Sequence, residues 1–246
     1  MVGLRHLRLI AVNIDGVLLN DTFSPVIHRM VVNSGGVYTA ELERSVFSQP
    51  QLKAAAALGV PGTPQDVVRA YFRERAAYLE GDQVRVMAGA GALLERLRAT
   101  GAQLVCYGGL GRDHFDDHLG VYAAYFDGPG YVCTDAFRPG IREITEDVFQ
   151  LRCDQALFID DVARVAESAR ELGAAFIGHP SSYEHSFQRE LMCRAGVGHL
   201  VESLEEIDES LVRTLDAEAA EGRLWPPAAP AAGPAGPAAA ATTPGA

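Results

Sequence analysis

Short apolar runs separated by segments of helical period constrain the fold of this chain more tightly than any other feature. The runs lie at 7–12, 104–107, 131–133, 156–159, 174–177 and 199–201. Each is too short for a helix, and the spacing predicts buried strands. Between them, Val162, Val165, Ala166, Ala169 and Leu172 recur at steps of three and four, and Gly173 marks the stop. Segments 92–98 and 143–150 read the same way. Strands alternating with helices predict an α/β fold with a mostly parallel sheet and right-handed crossovers. In such sheets ligands bind at the carboxyl ends of the strands.

Two stretches break the alternation. Segment 22–88 reads as a helical insertion after the first strand. Thr63, Pro64 and Asp66 supply a cap, a first-position proline and a first-turn acid. The helix they start runs to about Leu79, with Val68, Phe72, Ala76 and Leu79 as its apolar stripe. Segments 40–47 and 51–58 also read as helices, and Ser34-Gly35-Gly36 as a turn without phosphate-loop spacing. From about Arg223 the chain is nearly all Pro, Ala and Gly, which predicts disorder over 223–246. The expected domains are a core of 1–21 plus 89–222, a helical cap of 22–88, and this tail.

A chain of 246 residues with 48% hydrophobic and 22% charged residues can bury a full core. Its formal net charge of −11 argues against a nucleic acid partner, which needs clustered Lys and Arg. No long apolar run predicts a membrane span, and 1–10 is too short for a secretory leader. Cys106, Cys133, Cys153 and Cys193 are scattered, with no framework of disulfide or zinc spacing. The expected location is cytoplasmic.

The chemistry gathers at two strand ends. After the first run come Asn13, Asp15 and Gly16. Residues i and i+2 leave a strand end on the same side, so Asn13 and Asp15 reach one centre. Asp160 and Asp161 end the 156–159 run where a helix opens, and project toward the same crevice. His114 and His118 stand four apart but lack the glutamate of a zinc helix, and read as a solvated face. Glu202, Glu205, Glu206, Asp208 and Glu209 read as a solvated helix start. His179 and His185 lie in a loop near the crevice. Arg44, Gln49 and Arg73 of the insertion are within conceivable reach of a ligand.

Residues 13–18, Asn-Ile-Asp-Gly-Val-Leu, resemble motif I of the haloacid dehalogenase superfamily, Asp-x-Asp-Gly-Thr/Val-Leu. The resemblance covers about residues 5–215. It implies a Rossmann-like core with a cap inserted after the first strand. It also implies a catalytic trio of Asn13, Asp15 and Arg138, and a magnesium site made by Asn13, Asp15, Asp160 and Asp161. In that family the first aspartate attacks to form a covalent intermediate, and the second acts as acid and base. Here the nucleophile position is Asn13, a neutral amide. Motif II ends in Gly108-Gly109 where a Ser or Thr hydroxyl is usual, leaving backbone amides for an anion. At motif III Arg138, followed by Pro139, stands for the usual lysine; Arg142 is a second candidate. The resemblance thus implies a crevice for Mg2+ and a small phosphorylated or anionic ligand, or an unidentified protein partner, with covalent hydrolysis lost. The alternative is an active hydrolase using Asp15, Asp160 and Asp161.

Overall fold

The structure, a computed structural model, describes residues 3–225. Strands β1 (Leu9–Asn13), β2 (Gln103–Gly108), β3 (Tyr131–Cys133), β4 (Ala156–Asp160) and β5 (Ala175–Gly178) form one sheet. Their order is β3-β2-β1-β4-β5 and every pairing is parallel. Ala11 of β1 sits beside Val105 on one side and Phe158 on the other. Helices α1 (Ser24–Asn33), α2 (Ala40–Val46), α3 (Gln51–Ala57) and α4 (Pro64–Leu79) form the insertion. After it come α5 (Ala90–Ala99), α6 (Arg112–Leu119), α7 (Ala163–Leu172), α8 (Gln188–Ala195) and α9 (Glu209–Ala220).

A parallel sheet is covered on both faces, which is why its strands are apolar throughout rather than alternating. Leu9, Ala11, Val105, Phe158 and Phe176 enter one layer with Val165 of α7, Leu191 of α8 and Val26 of α1. Ile10, Val12, Leu104, Leu157 and Ile177 enter the other, with Leu93 of α5, Phe115 of α6 and Leu215 of α9. Each such side chain contributes about 1.5–3 kcal/mol on burial. Gly173 ends α7 in the left-handed conformation (φ 71°), and the amide of Ala174 bonds back to Ala169 to start β5.

The insertion is stitched at its base. Leu19 bridges Val86, the Asn20 amide donates to Arg85 O, and the Met87 amide donates to Leu18 O. Its far side docks on the core through polar contacts. Arg44 forms a two-pronged pair with Glu167 of α7 (2.6 and 2.8 Å). Glu43, fully buried, accepts from the Ser186 hydroxyl and the Phe187 amide. Burial pushes the Glu43 carboxyl up from its ordinary value.

Four expectations are corrected. The run 199–201 forms no strand: only Leu200 bridges Gly178, because the Glu206 carboxylate captures the Glu202 and Ser203 amides and turns the chain away. Helix α4 begins at the foreseen cap, with both bonds of a capping box between Thr63 and Asp66. Its inward stripe is rotated by one residue, however. Val67 is its buried residue, while Phe72 and Ala76 are exposed. The rotation is set by Phe23, on which Tyr71 stacks (6.0 Å) and over which the Arg75 guanidinium lies (4.9 Å). Segment 143–148 is a π turn rather than an α-helix, with the Phe149 amide reaching back to Ile144 O. Finally, the apolar contacts continue past Arg223. Trp225 packs on Phe176 and donates from its indole nitrogen to Ala174 O (2.9 Å). The rest of the expected tail, 226–246, lies outside the described residues.

Candidate functional site

The strand order reverses between β1 and β4, so their carboxyl ends flank the crevice that such a sheet offers a ligand. Asn13 closes β1 and Asp160 closes β4. The Asn13 amide nitrogen donates to the Asp15 carbonyl (2.7 Å) and to Asp161 Oδ1 (2.9 Å). The loop can pass this close only because residue 16 is glycine. Its φ is +85°, and a Cβ there would lie 2.1 Å from Asp161 Oδ2. Asp160 is spoken for as well: it accepts from the Tyr107 hydroxyl and from the Val162 amide. Burial raises the carboxyls of both Asp160 and Asp161, and the charge of Asp160 raises Asp161 further.

Asp15 points to the other side of the loop, where His114 Nε2 lies 2.8 Å from its Oδ1. His114 stands in the first turn of α6, and its ring meets His118 edge-on (4.9 Å). The pair therefore faces the crevice region rather than solvent. Burial, and then the neighbouring His114, lower the pKa of His118. Nothing in the spacing of 114 and 118 foretells Asp15, which is 99 residues upstream.

Gly108 and Gly109 part company. A Cβ at Gly108 would lie 2.3 Å from Ile14 Cγ2 and 3.1 Å from the Tyr131 hydroxyl, so this glycine serves packing between β1 and β3. Gly109 does line the crevice, and a Cβ on it would collide with the Arg138 guanidinium at 2.2 Å. Arg138 follows a short turn after β3, its peptide to Pro139 is cis, and it lies across Gly109 into the crevice. It makes no hydrogen bond or ion pair among the described residues, and its Nε is buried without a partner. Arg142 lies elsewhere, beside Glu146 on the surface.

Several other candidates have structural employment. His179 is buried and its Nδ1 contacts Gly16 O at 2.9 Å, bracing the motif I loop from β5. His185 stacks on His28 of α1 (4.3 Å). Asp208 caps α9, and Glu206 caps the turn before it. Arg44 is held by Glu167, and Arg73 is exposed. Gln49 alone of the three insertion candidates lines the crevice.

The crevice opens into a cavity of about 140 Å³ between the sheet and the insertion. Asn13, Asp15, Asp161, Gly109 and Arg138 form its floor, and Phe23, Ile27, Val46, Phe47, Leu58 and Val67 its apolar walls. Tyr71 also lines it; its hydroxyl is buried without a partner, and burial drives its pKa up. The sequence pattern does not single out Tyr71, because its spacing predicts an α4 stripe phased on Val68, whereas the buried residue of the helix is Val67.

The divalent cation that the motif I resemblance implies does not fit the residues as arranged. The oxygens that would face it, Asp15 O and Asp161 Oδ1, are both taken by the Asn13 amide hydrogens, and Asp160 is taken by Tyr107 and Val162. Among the described residues no group of three or more His, Cys, Asp or Glu is placed to hold a metal. A hard cation needs oxygen donors free to turn toward it.

This sheet order, crevice and insertion define a Rossmann-like chain with a strand-end site. More narrowly, the fold is the haloacid dehalogenase-like one. A haloacid dehalogenase-like protein of unknown function from Agrobacterium tumefaciens is similar at 17% identity and TM-score 0.59, over 85% of this chain and 99% of that one. A haloacid dehalogenase-like hydrolase from Streptococcus pneumoniae is similar at 17% identity and TM-score 0.55, over 82% and 97%. A HAD family hydrolase from Deinococcus radiodurans, with bound phosphate and sodium, is similar at 19% identity and TM-score 0.55, over 91% and 99%. No protein-family model matches the sequence, and no curated protein matches it. Among the described residues no helix is long and apolar enough to cross a membrane.

Proposed function

We propose that this chain is a haloacid dehalogenase-like binding or accessory module, one that keeps an anion crevice and has given up covalent phosphohydrolysis. The observation that carries the reading is the pair of hydrogen bonds that the Asn13 amide donates to Asp15 O and Asp161 Oδ1. An amide in that place is no nucleophile, and its two N–H groups satisfy the oxygens a cation would otherwise neutralise. Magnesium therefore drops out of the reading. The anion crevice stays in it, because Arg138 lines the cavity and makes no hydrogen bond or close ion pair among the described residues. The Deinococcus hydrolase of the same fold has phosphate bound, which supports an anion as the class of ligand. Losing a catalytic nucleophile costs several orders of magnitude in rate, up to about a million-fold.

One observation favours a second reading. Asp15 lines the cavity with His114 2.8 Å behind it, which is how an acid/base carboxylate is oriented toward water. Hydrolysis by direct water attack would use that pair. The test is hydrolysis of p-nitrophenyl phosphate with and without Mg2+ by wild type, Asn13→Asp and Asn13→Asp/Asp15→Asn. The binding reading expects a silent wild type and Mg2+-dependent activity in Asn13→Asp that the second change abolishes. Turnover by wild type well above the double variant would establish the water-attack reading instead.

A further inference from the structure

We propose that Tyr107 is a second lock on the strand-end acids: its hydroxyl and the Asn13 amide together take the place of a divalent cation, and the crevice is built to stay metal-free. The inference rests on the reading above, in which Asn13 displaces magnesium, and deepens it by assigning a second residue to the same exclusion.

The register of three strands makes the contact. Asn13 of β1 is the Cα partner of Tyr107 of β2, and Val12 is that of Ile159, which puts Asp160 of β4 at the next level. Side chains two apart on a strand share a face. Asn13 therefore lies on the face of Ala11, Tyr107 on that of Val105 and Asp160 on that of Phe158, and these three apolar residues enter one core layer. Tyr107 and Asp160 stand two strands apart, about 9–10 Å at ordinary strand spacing. A tyrosine is long enough to cross β1, and Ala11 is small enough to be crossed. The Tyr107 ring meets Phe158 edge-on (5.6 Å), and its hydroxyl donates to Asp160 Oδ2. A phenylalanine ring would fill the same space and leave that oxygen unmet.

The two locks divide the acids between them. Asn13 spends both its N–H groups on Asp15 O and Asp161 Oδ1. Tyr107 holds Asp160 Oδ2, and the Val162 amide holds Asp160 Oδ1 (2.7 Å). Asn13, Tyr107, Asp160 and Asp161 are between 2% and 8% exposed, so water does not stand in for these bonds. A hard cation needs oxygens free to turn toward it, and here they are already turned toward neutral donors. Restoring aspartate at position 13 opens the first lock and leaves the second closed on β4.

The test is Mn2+ titration of wild type, Tyr107→Phe, Asn13→Asp and Asn13→Asp/Tyr107→Phe at pH 7.5, read by the EPR signal of the free ion. Mn2+ shares the octahedral oxygen preference of Mg2+. Wild type and Tyr107→Phe should take up no stoichiometric ion. Asn13→Asp should bind one ion weakly, and the double variant one ion at least about tenfold more tightly, the worth of one hydrogen bond to a charged group. Stoichiometric uptake by wild type or by Tyr107→Phe overturns the inference, as do equal affinities in Asn13→Asp and the double variant. If the double variant fails to fold, proton NMR of Asn13→Asp with carbon-13-labelled tyrosine decides. The Tyr107 hydroxyl proton should exchange slowly and stay so when Mg2+ is added; fast exchange, or loss of the resonance with Mg2+, overturns the inference. The two proposals fail separately. Wild-type turnover of aryl phosphate in EDTA would end the binding-module reading without touching the Mn2+ titrations, and equal affinities would remove the part of Tyr107 and leave that of Asn13 standing.

Discussion

Replacing Asn13 by aspartate changes one group in the crevice from a donor to an acceptor, and the structure says what that costs. The Asn13 amide nitrogen lies 2.7 Å from Asp15 O and 2.9 Å from Asp161 Oδ1. In Asn13→Asp both contacts become oxygen against oxygen, in a site where Asn13 and Asp161 are buried. Each buried group left without its bond costs about 1–3 kcal/mol, and a second carboxylate beside Asp161 adds repulsion. The variant should therefore lose roughly 2–5 kcal/mol in EDTA, a fall in Tm of about 4–20 °C for a chain of this size. The same change creates the oxygen set a hard cation wants, since Asp15 O and Asp161 are released to face it. Free Mg2+ at about a hundred times its Kd returns roughly 2.7 kcal/mol. Thermal unfolding followed by circular dichroism, with EDTA and with 10 mM MgCl2 (about the level that ratio needs for a Kd near 0.1 mM), gives four numbers. The wild type should show one Tm in both buffers, and the variant two. A wild type that Mg2+ stabilises by several degrees, or a variant that loses nothing in EDTA, would refute the reasoning.

Three further outcomes are expected. Gly108→Ser, which supplies the hydroxyl usual for motif II, should destabilise the fold by about 1–3 kcal/mol in urea titrations, because its Cβ meets Ile14 at 2.3 Å. Asp216 holds the amides of Arg5, His6 and Leu7 (2.7, 2.8 and 2.8 Å). Burial alone would raise its carboxyl, but those amides hold it below the ordinary value. A depressed carboxyl stabilises above its unfolded pKa of about 4 and loses that contribution as pH falls through the folded one. The stability gap between wild type and Asp216→Asn should thus be full at pH 6, about 1–3 kcal/mol, and shrink below about pH 4. Trp225→Ala should cost about 2–4 kcal/mol and raise amide exchange at Ala174 and Ala175, since the indole covers Phe176 and bonds Ala174 O.

The sequence by itself determined the sheet. Its strands are legible because a parallel sheet buried on both faces demands short, continuous apolar runs, and helices of period 3.6 must lie between them. It also determined that Asn13, Asp15, Asp160 and Asp161 come to strand ends, since strand register and the i, i+2 rule are local properties. The cap of α4 was equally legible, because Thr63 and Asp66 satisfy each other within one turn. Only the tertiary structure decided what those groups do. That Asn13 bonds to Asp161, 148 residues away, that His114 meets Asp15, and that Tyr107 occupies Asp160 are contacts between strand ends and loops. No periodicity records them. The same holds for the rotation of α4, against which Phe23 packs from just before α1, and which brings Tyr71 to the cavity beside Val68 and Phe72. Local patterns report what a segment buries; partners chosen across the crevice depend on which segments meet, and that is fixed only when the chain has folded.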